Sequence, residues 1–251
     1  MSDQATIAFT QPVRMDIVFL DTETTDIVGA RLVQLAYKNA TTGEMVNEYF
    51  KPPVPISFGA MATHHITEAM VVDKPMFVGS ACQEELLRVC QSSIIIAHNA
   101  EFDIATLANE GVGVLRSIDT EQVARHIVSS DRYALQYLRY CLNLNVAAQA
   151  HDAMGDVLVL EALFNHLKTV VQEKFALTVD EQIIAKMMEL SEAPVLQVFF
   201  LFGKYKGKTF VEVLELDKQY LEWLYASKTE NGIDSRDENL VHTLKYHLQI
   251  E

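Results

Sequence analysis

Three short segments place carboxylates where they could act together. In Leu20-Asp21-Thr22-Glu23-Thr24-Thr25, an apolar run ends at Asp21. Residues two apart on an extended strand point the same way, so Asp21 and Glu23 can project together. Carboxylates that close repel unless a cation lies between them. In Ile96-Ala97-His98-Asn99-Ala100-Glu101-Phe102-Asp103, Asn99 is suited to cap a helix, which sets Asp103 one turn inside it. The third segment is His151-Asp152-Ala-Met-Gly-Asp156. Positions five apart on one helix differ by roughly 140° around its axis. His151 and Asp156 therefore share a site only if His151 lies in the loop ahead of the helix, with Asp152 as N-cap. Each segment alone also fits a structural role: an acidic turn, an acid complementing a helix dipole, or an exposed helical acid.

The elements that must position these groups follow from periodicity and punctuation. Asp16–Leu20 reads as a buried strand. Arg31–Tyr37 and Met45–Phe50, with Thr42-Gly43 between them, read as a β-hairpin. A loop is expected from the Pro-rich Lys51–Pro55 to about Pro75. Ser80–Cys90 has helical spacing and precedes a β-branched strand, Ser93–Ala97. Further helices are expected at Ala100–Glu110, Thr120–Val128, Ala134–Leu142 and Asp152–Val171. That order predicts an α/β layer fold with a mixed sheet. Thr178-Val-Asp-Glu181 has capping-box spacing and would start a helix ending near Ser191. Beyond Pro194 come a strand-like run (Val195–Phe202), a basic turn (Gly203–Lys208) and helices at Lys218–Ser227 and Arg236–Gln249. Val195–Phe202 with Phe210, Leu214, Trp223 and Leu224 would form a small core of its own. The expected organisation is a leader (1–14), a main domain (15–171), a helical linker (172–194) and a small α+β C-terminal module (195–251).

The 251 residues carry 20 Lys and Arg against 34 Asp and Glu, a net charge of −14. Such a chain does not coat nucleic acid or anionic membrane through bulk charge. With 49% hydrophobic residues it has the material for a core, which excludes wholesale disorder. Three cysteines without C-x-x-C spacing indicate neither a disulfide framework nor a cysteine zinc site, so a cytoplasmic location is expected. No signal peptide and no membrane span are read.

Taken in order, Asp21, Glu23, Asp103 and Asp156, with His151 five residues before the last, resemble the DEDDh (DnaQ-like) family of 3′–5′ exonucleases. The resemblance covers roughly residues 15 to 168. His64-His65-Ile66-Thr67, Ser117-Ile-Asp-Thr120 and Tyr133-Ala-Leu135 also resemble family segments. Asp26 stands where the family's D-T-E-T-T-G has glycine, and His65 replaces another glycine. The resemblance implies a ribonuclease H-like mixed sheet flanked by helices. It also implies metal-dependent release of nucleoside monophosphates from 3′ ends of single-stranded DNA, with exoribonuclease activity as the alternative. Asp21, Glu23, Asp103 and Asp156 would ligate two divalent ions, Mg²⁺ or Mn²⁺, which hard oxygen donors suit. Asp21 would bridge the ions, and His151 would be the general base, since an unperturbed histidine pKa near 6.5 allows proton abstraction at neutral pH. Thr22, Thr24, His98, Asn99 and His64 would meet the terminal nucleotide.

Phe202-Gly-Lys-Tyr-Lys-Gly-Lys208 followed by Tyr220-Leu-Glu-Trp-Leu224 is similar to an accessory module of exonuclease X-like proteins. Lys204, Lys206 and Lys208 could meet a phosphate backbone while Tyr205 stacks on a base; a solvated turn is the alternative. A proofreading or repair subunit that docks on a polymerase or repair complex through this module is the reading from another class. Homodimerisation is compatible with either.

Overall fold

The apolar run before Asp21 becomes the centre of a five-stranded sheet. In a computed structural model, which describes residues 15–147, 152–230, 232–233 and 237–250, strand β1 (Asp16–Thr24) pairs antiparallel with β2 (Leu32–Asn39), which in turn pairs with β3 (Met45–Tyr49). On its other side β1 pairs in parallel with β4 (Ser93–Ala97), and β4 with β5 (Ser117–Asp119). The order β3-β2-β1-β4-β5 is the expected mixed sheet. Strand β1 continues past the apolar run and carries both Asp21 and Glu23 inside it. Its register with β2 shifts between Glu23 and Thr24, an irregularity of the kind that re-aims side chains beside sites. The three-residue β5 was not foreseen; so short a run has no readable alternation.

Helices α1 (Phe58–His64) and α2 (Glu68–Val71) occupy the stretch expected to be a loop. They are too short for a periodic signal. Their support is tertiary: Ile56, Ile66 and Val71 bury together against Val33 of β2, and Ser57 caps α1. Helix α3 (Ala81–Ser92), α4 (Ala100–Asn109), α5 (Thr120–Ile127), α6 (Leu135–Cys141) and α7 (Ala153–Lys174) lie where periodicity placed them. Leu86 and Cys90 of α3 bury with Val18, Leu20, Leu35, Tyr37 and Ile95 of the sheet. Helix α7 meets β1 through an edge-on contact between Phe164 and Phe19, with centroids 5.4 Å apart. A Lys38–Glu161 ion pair joins it to β2.

The chain divides into two compact units, one ending at Met188 and one beginning at Glu189. The division falls within α8 (Asp180–Glu192), inside the 172–194 stretch read as a linker. The leader 1–14 lies outside the described residues.

The second unit is helical, with α9 (Phe210–Leu216), α10 (Lys218–Thr229) and α11 (Glu238–Leu248) around Phe200, Phe210, Val213, Leu221, Leu224, Leu240 and Leu244. The expected strand Val195–Phe202 is reduced to one bridge, Phe199 with Thr209. Side chains replace a neighbouring strand there: Val195 N–H donates to Asn239 Oδ1 at 2.7 Å and Gln197 N–H to Thr243 Oγ1 at 2.8 Å. The module is thus helical where an α+β unit was expected. Trp223, expected in its core, is 61% exposed. Among the described residues, no helix is long and apolar enough to cross a membrane.

Candidate active site

Strand β1, helix α4 and helix α7 bring the four acids into one neighbourhood. Carboxylate oxygens of Asp21, Glu23 and Asp156 lie within 4.8 Å of one another. Asp103, in the first turn of α4, is buried beside them and adds to the negative field at Asp21 and Glu23. Its Oδ1 accepts the Thr22 hydroxyl at 2.7 Å, which ties α4 to the strand residue between the other two acids.

The electrostatics follow from burial and crowding. Burial, then the charges of Asp103, Glu23, Asp156 and Asp152, pushes the Asp21 carboxyl well above the usual range. Burial, then Asp156, Asp103 and Asp152, raises Glu23 to about 7. Asp103 is raised to about 7 by burial, with the Thr22 hydrogen bond acting against it. Acids this close are mutually destabilised as anions, and a proton or a small divalent cation relieves them. Carboxylate oxygens are hard donors of the kind Mg²⁺ and Mn²⁺ take, so the donor set fits such ions.

Local devices hold each acid in place. Asn99 was expected to cap α4 with its side chain. Instead its backbone is left-handed (φ 62°), a conformation asparagine tolerates. The Asp119 carboxylate does the capping, accepting Asn99 N–H at 3.0 Å and Ala100 N–H at 3.1 Å while also capping α5. Asp152 is the N-cap of α7, as its position suggested, and accepts Gly155 N–H at 3.2 Å. A Gln136 Nε2–H of α6 donates to Asp156 Oδ1. Asp119 stood in a segment already singled out, but only the fold shows it reaching α4. Gln136 carried no sequence signal beyond adjoining Tyr133-Ala-Leu135. His151 lies outside the described residues.

The expected nucleotide contacts separate into two groups. Four are engaged within the chain. The Thr22 hydroxyl goes to Asp103, and the Thr24 hydroxyl to Asp26 O at 3.0 Å. His98 uses both ring nitrogens, toward Thr120 Oγ1 (2.9 Å) and Tyr133 O (2.7 Å). His64 accepts Ile66 N–H on Nδ1 at 3.0 Å and meets Thr24 O through Nε2 at 3.1 Å. Since Nδ1 accepts, the proton sits on Nε2 and the ring is neutral, in keeping with burial lowering its pKa. These four shape the walls. Asn99 is the one with an exposed side chain. In the second unit, Lys204 Nζ (2.9 Å) and Tyr205 Oη (2.7 Å) both donate to Asp217 Oδ2, whereas Lys206 and Lys208 are exposed.

Residues 18–164, more than half the chain, match the family model described as "Exonuclease". The chain belongs to the exonuclease family. This is the nuclease family that the ordered acids resemble, and the chain is a hydrolytic, nucleic-acid-binding enzyme. Residues 200–227 match the model "Exodeoxyribonuclease X-like C-terminal". Exodeoxyribonuclease 10 of Escherichia coli K12 is 32% identical, covering 92% of this chain and 97% of its own. The DNA polymerase III subunit epsilon of Buchnera aphidicola is 28% identical over 60% of this chain and 72% of its own. Among solved structures, exonuclease X in complex with 5′ overhanging duplex DNA is 29% identical, with a TM-score of 0.54 over 70% of this chain and 99% of that one. E. coli exonuclease I in complex with a dA16 oligonucleotide shares the fold, at 20% identity and TM-score 0.55, over 65% of this chain and 42% of that one.

Proposed function

We propose that this exonuclease removes nucleoside monophosphates one at a time from 3′ ends of single-stranded DNA. In this reading Asp21, Glu23, Asp103 and Asp156 would hold two divalent ions, Mg²⁺ or Mn²⁺. The observation that carries it is the knot of mutually repelling carboxylates on β1 and α7, with Asp103 beside it. Such ions, when bound, activate water and stabilise the leaving oxygen. His151, five residues before Asp156, takes the proton of the attacking water. The bond from phosphorus to the 3′ oxygen breaks, leaving a 5′-monophosphate and a shorter strand with a new 3′ hydroxyl. Thr22 keeps Asp103 turned toward β1, and Asn99 offers its exposed amide to the terminal nucleotide. The relatives named above act on DNA by name or in complex, which favours DNA over RNA.

The test pairs 3′- and 5′-labelled DNA and RNA oligonucleotides with the wild-type protein and Asp103→Ala. The expected result is immediate mononucleotide release from the 3′ label on DNA, only with Mg²⁺ or Mn²⁺ present. Full activity in Asp103→Ala, or in excess chelator, would overturn the metal assignment. For His151, single-turnover rates of His151→Ala across pH should be low and lose the wild-type rise with pH. An unchanged profile removes it as the base.

The likeness to polymerase III epsilon subunits supports a second reading, docking on a polymerase or repair complex through residues 195–251. Co-purification that is lost when those residues are removed is its test.

A further inference from the structure

Helix α6 reaches the acid cluster through Gln136, a side chain that is itself held. Gln136 donates its amide N–H to Asp156 Oδ1. Its amide oxygen accepts from Arg139 Nη1 at 3.1 Å. Arg139 lies three residues on, on the same face of α6. A second guanidinium nitrogen donates to Val146 O, and Leu144 N–H donates back to Arg139 O at 2.8 Å. Leu138, buried between them in sequence, does the packing for the helix. The polar face is therefore not needed to bury α6, and its hydrogen bonds run to Asp156 at one end and to the chain five residues before His151 at the other.

We infer that Gln136 is a positioning residue for Asp156, and that Arg139 acts on the site by fixing Gln136. The inference rests on Asp156 being a metal ligand. An ionised carboxylate has about four lone-pair positions. A neutral donor fixes the rotation of the Asp156 carboxylate without cancelling its charge. A lysine or arginine at the same place would cancel the charge that attracts the ion. The positive charge stands one step back, on Arg139, where it aligns the glutamine amide so that N–H and not C=O faces Asp156. Partners that orient a ligand in this way are worth about 10- to 100-fold in metal affinity.

The measurement is Mn²⁺ binding to the full chain without nucleic acid, by calorimetry or by the paramagnetic resonance of free Mn²⁺, beside metal-free melting curves. Gln136→Met keeps length and loses the amide; its Mn²⁺ affinity should fall about tenfold while its melting curve stays close to wild type. Arg139→Met should weaken Mn²⁺ binding less, and should add nothing in the Gln136→Met background, because both act through one contact. Should Gln136→Met unfold, Gln136→Asn, one methylene short, carries the same expectation. Wild-type Mn²⁺ affinity in the folded glutamine variant overturns the inference, and strictly additive losses overturn the role of Arg139. Asp156→Asn separates the two levels. If it binds Mn²⁺ like wild type, the ligand assignment fails; if it binds weakly while Gln136→Met does not, only the inference fails.

Discussion

Asp21 lies within strand β1 and Asp217 at the junction of α9 and α10, and the surroundings of the two carboxylates are opposite. Asp21 faces Glu23 and Asp156 with Asp103 nearby, and its carboxyl is pushed up by burial and by those charges. Asp217 caps α10, receives the Tyr205 hydroxyl and the Lys204 ammonium, and its carboxyl is held below the usual range by those bonds. The second network is complete within the chain, down to the Lys204 ammonium lying over the Tyr205 and Tyr220 rings. The first gathers like charge, which the proposed divalent ions would balance. Unbalanced like charge marks the first unit as the place of chemistry, and internal balance marks the basic turn of the second as structure first.

The largest test of this contrast is Asp103→Ala. Removing one ligand should cost about 10³-fold in single-turnover rate, the order expected when several kcal/mol of metal stabilisation is lost. Next comes Phe210→Ala. Phe210 stacks on Phe200 at 4.0 Å in the second unit's core, and losing it should cost that unit about 3–5 kcal/mol. Mn²⁺ binding to the first unit should be unchanged, as titration of the variant will show; a parallel loss would join the two regions that the contrast separates.

A third prediction concerns pH. Glu23 and Asp103 are raised to about 7, above their unfolded values near 4. The folded state therefore holds protons more tightly than the unfolded one. Its stability from these groups is present at low pH and lost as pH rises through about 4 to 7. The metal-free first unit should melt about 5 °C lower at pH 7.5 than at pH 5. Mn²⁺ should restore the loss, with a gain that grows over the same window. A flat metal-free profile would mean that the acids do not strain the fold.

The smallest effect is expected from Lys206→Ala with Lys208→Ala. If the exposed lysines meet phosphate, the salt dependence of single-strand binding should flatten by about 0.7 per lysine. An unchanged slope would leave the turn purely structural, as the Asp217 network already makes Lys204.

Much of the first unit was legible because its signals are local. Asp21 and Glu23 follow an apolar run, Asp103 follows a His-Asn turn, and Asp152 caps the helix that carries Asp156; each is settled within a few residues of chain. The second unit was less legible. Val195–Phe202 has the composition of a strand, yet its Val195 and Gln197 N–H groups find Asn239 and Thr243 more than forty residues away. Helices α1 and α2, of seven and four residues, were hidden because one or two turns give no readable periodicity.

By itself the sequence singled out Asp21, Glu23, Asp103 and Asp156 and the strand and helices that carry them, since residue type, spacing and caps act over one or two turns. Only the tertiary structure decided what each side chain faces. It turned His64, His98 and Thr24 inward as wall supports, gave Asp119 to the start of α4, and set Gln136 on Asp156. Those partners come from separate elements, and which polar groups meet across a core depends on the packing of the whole sheet.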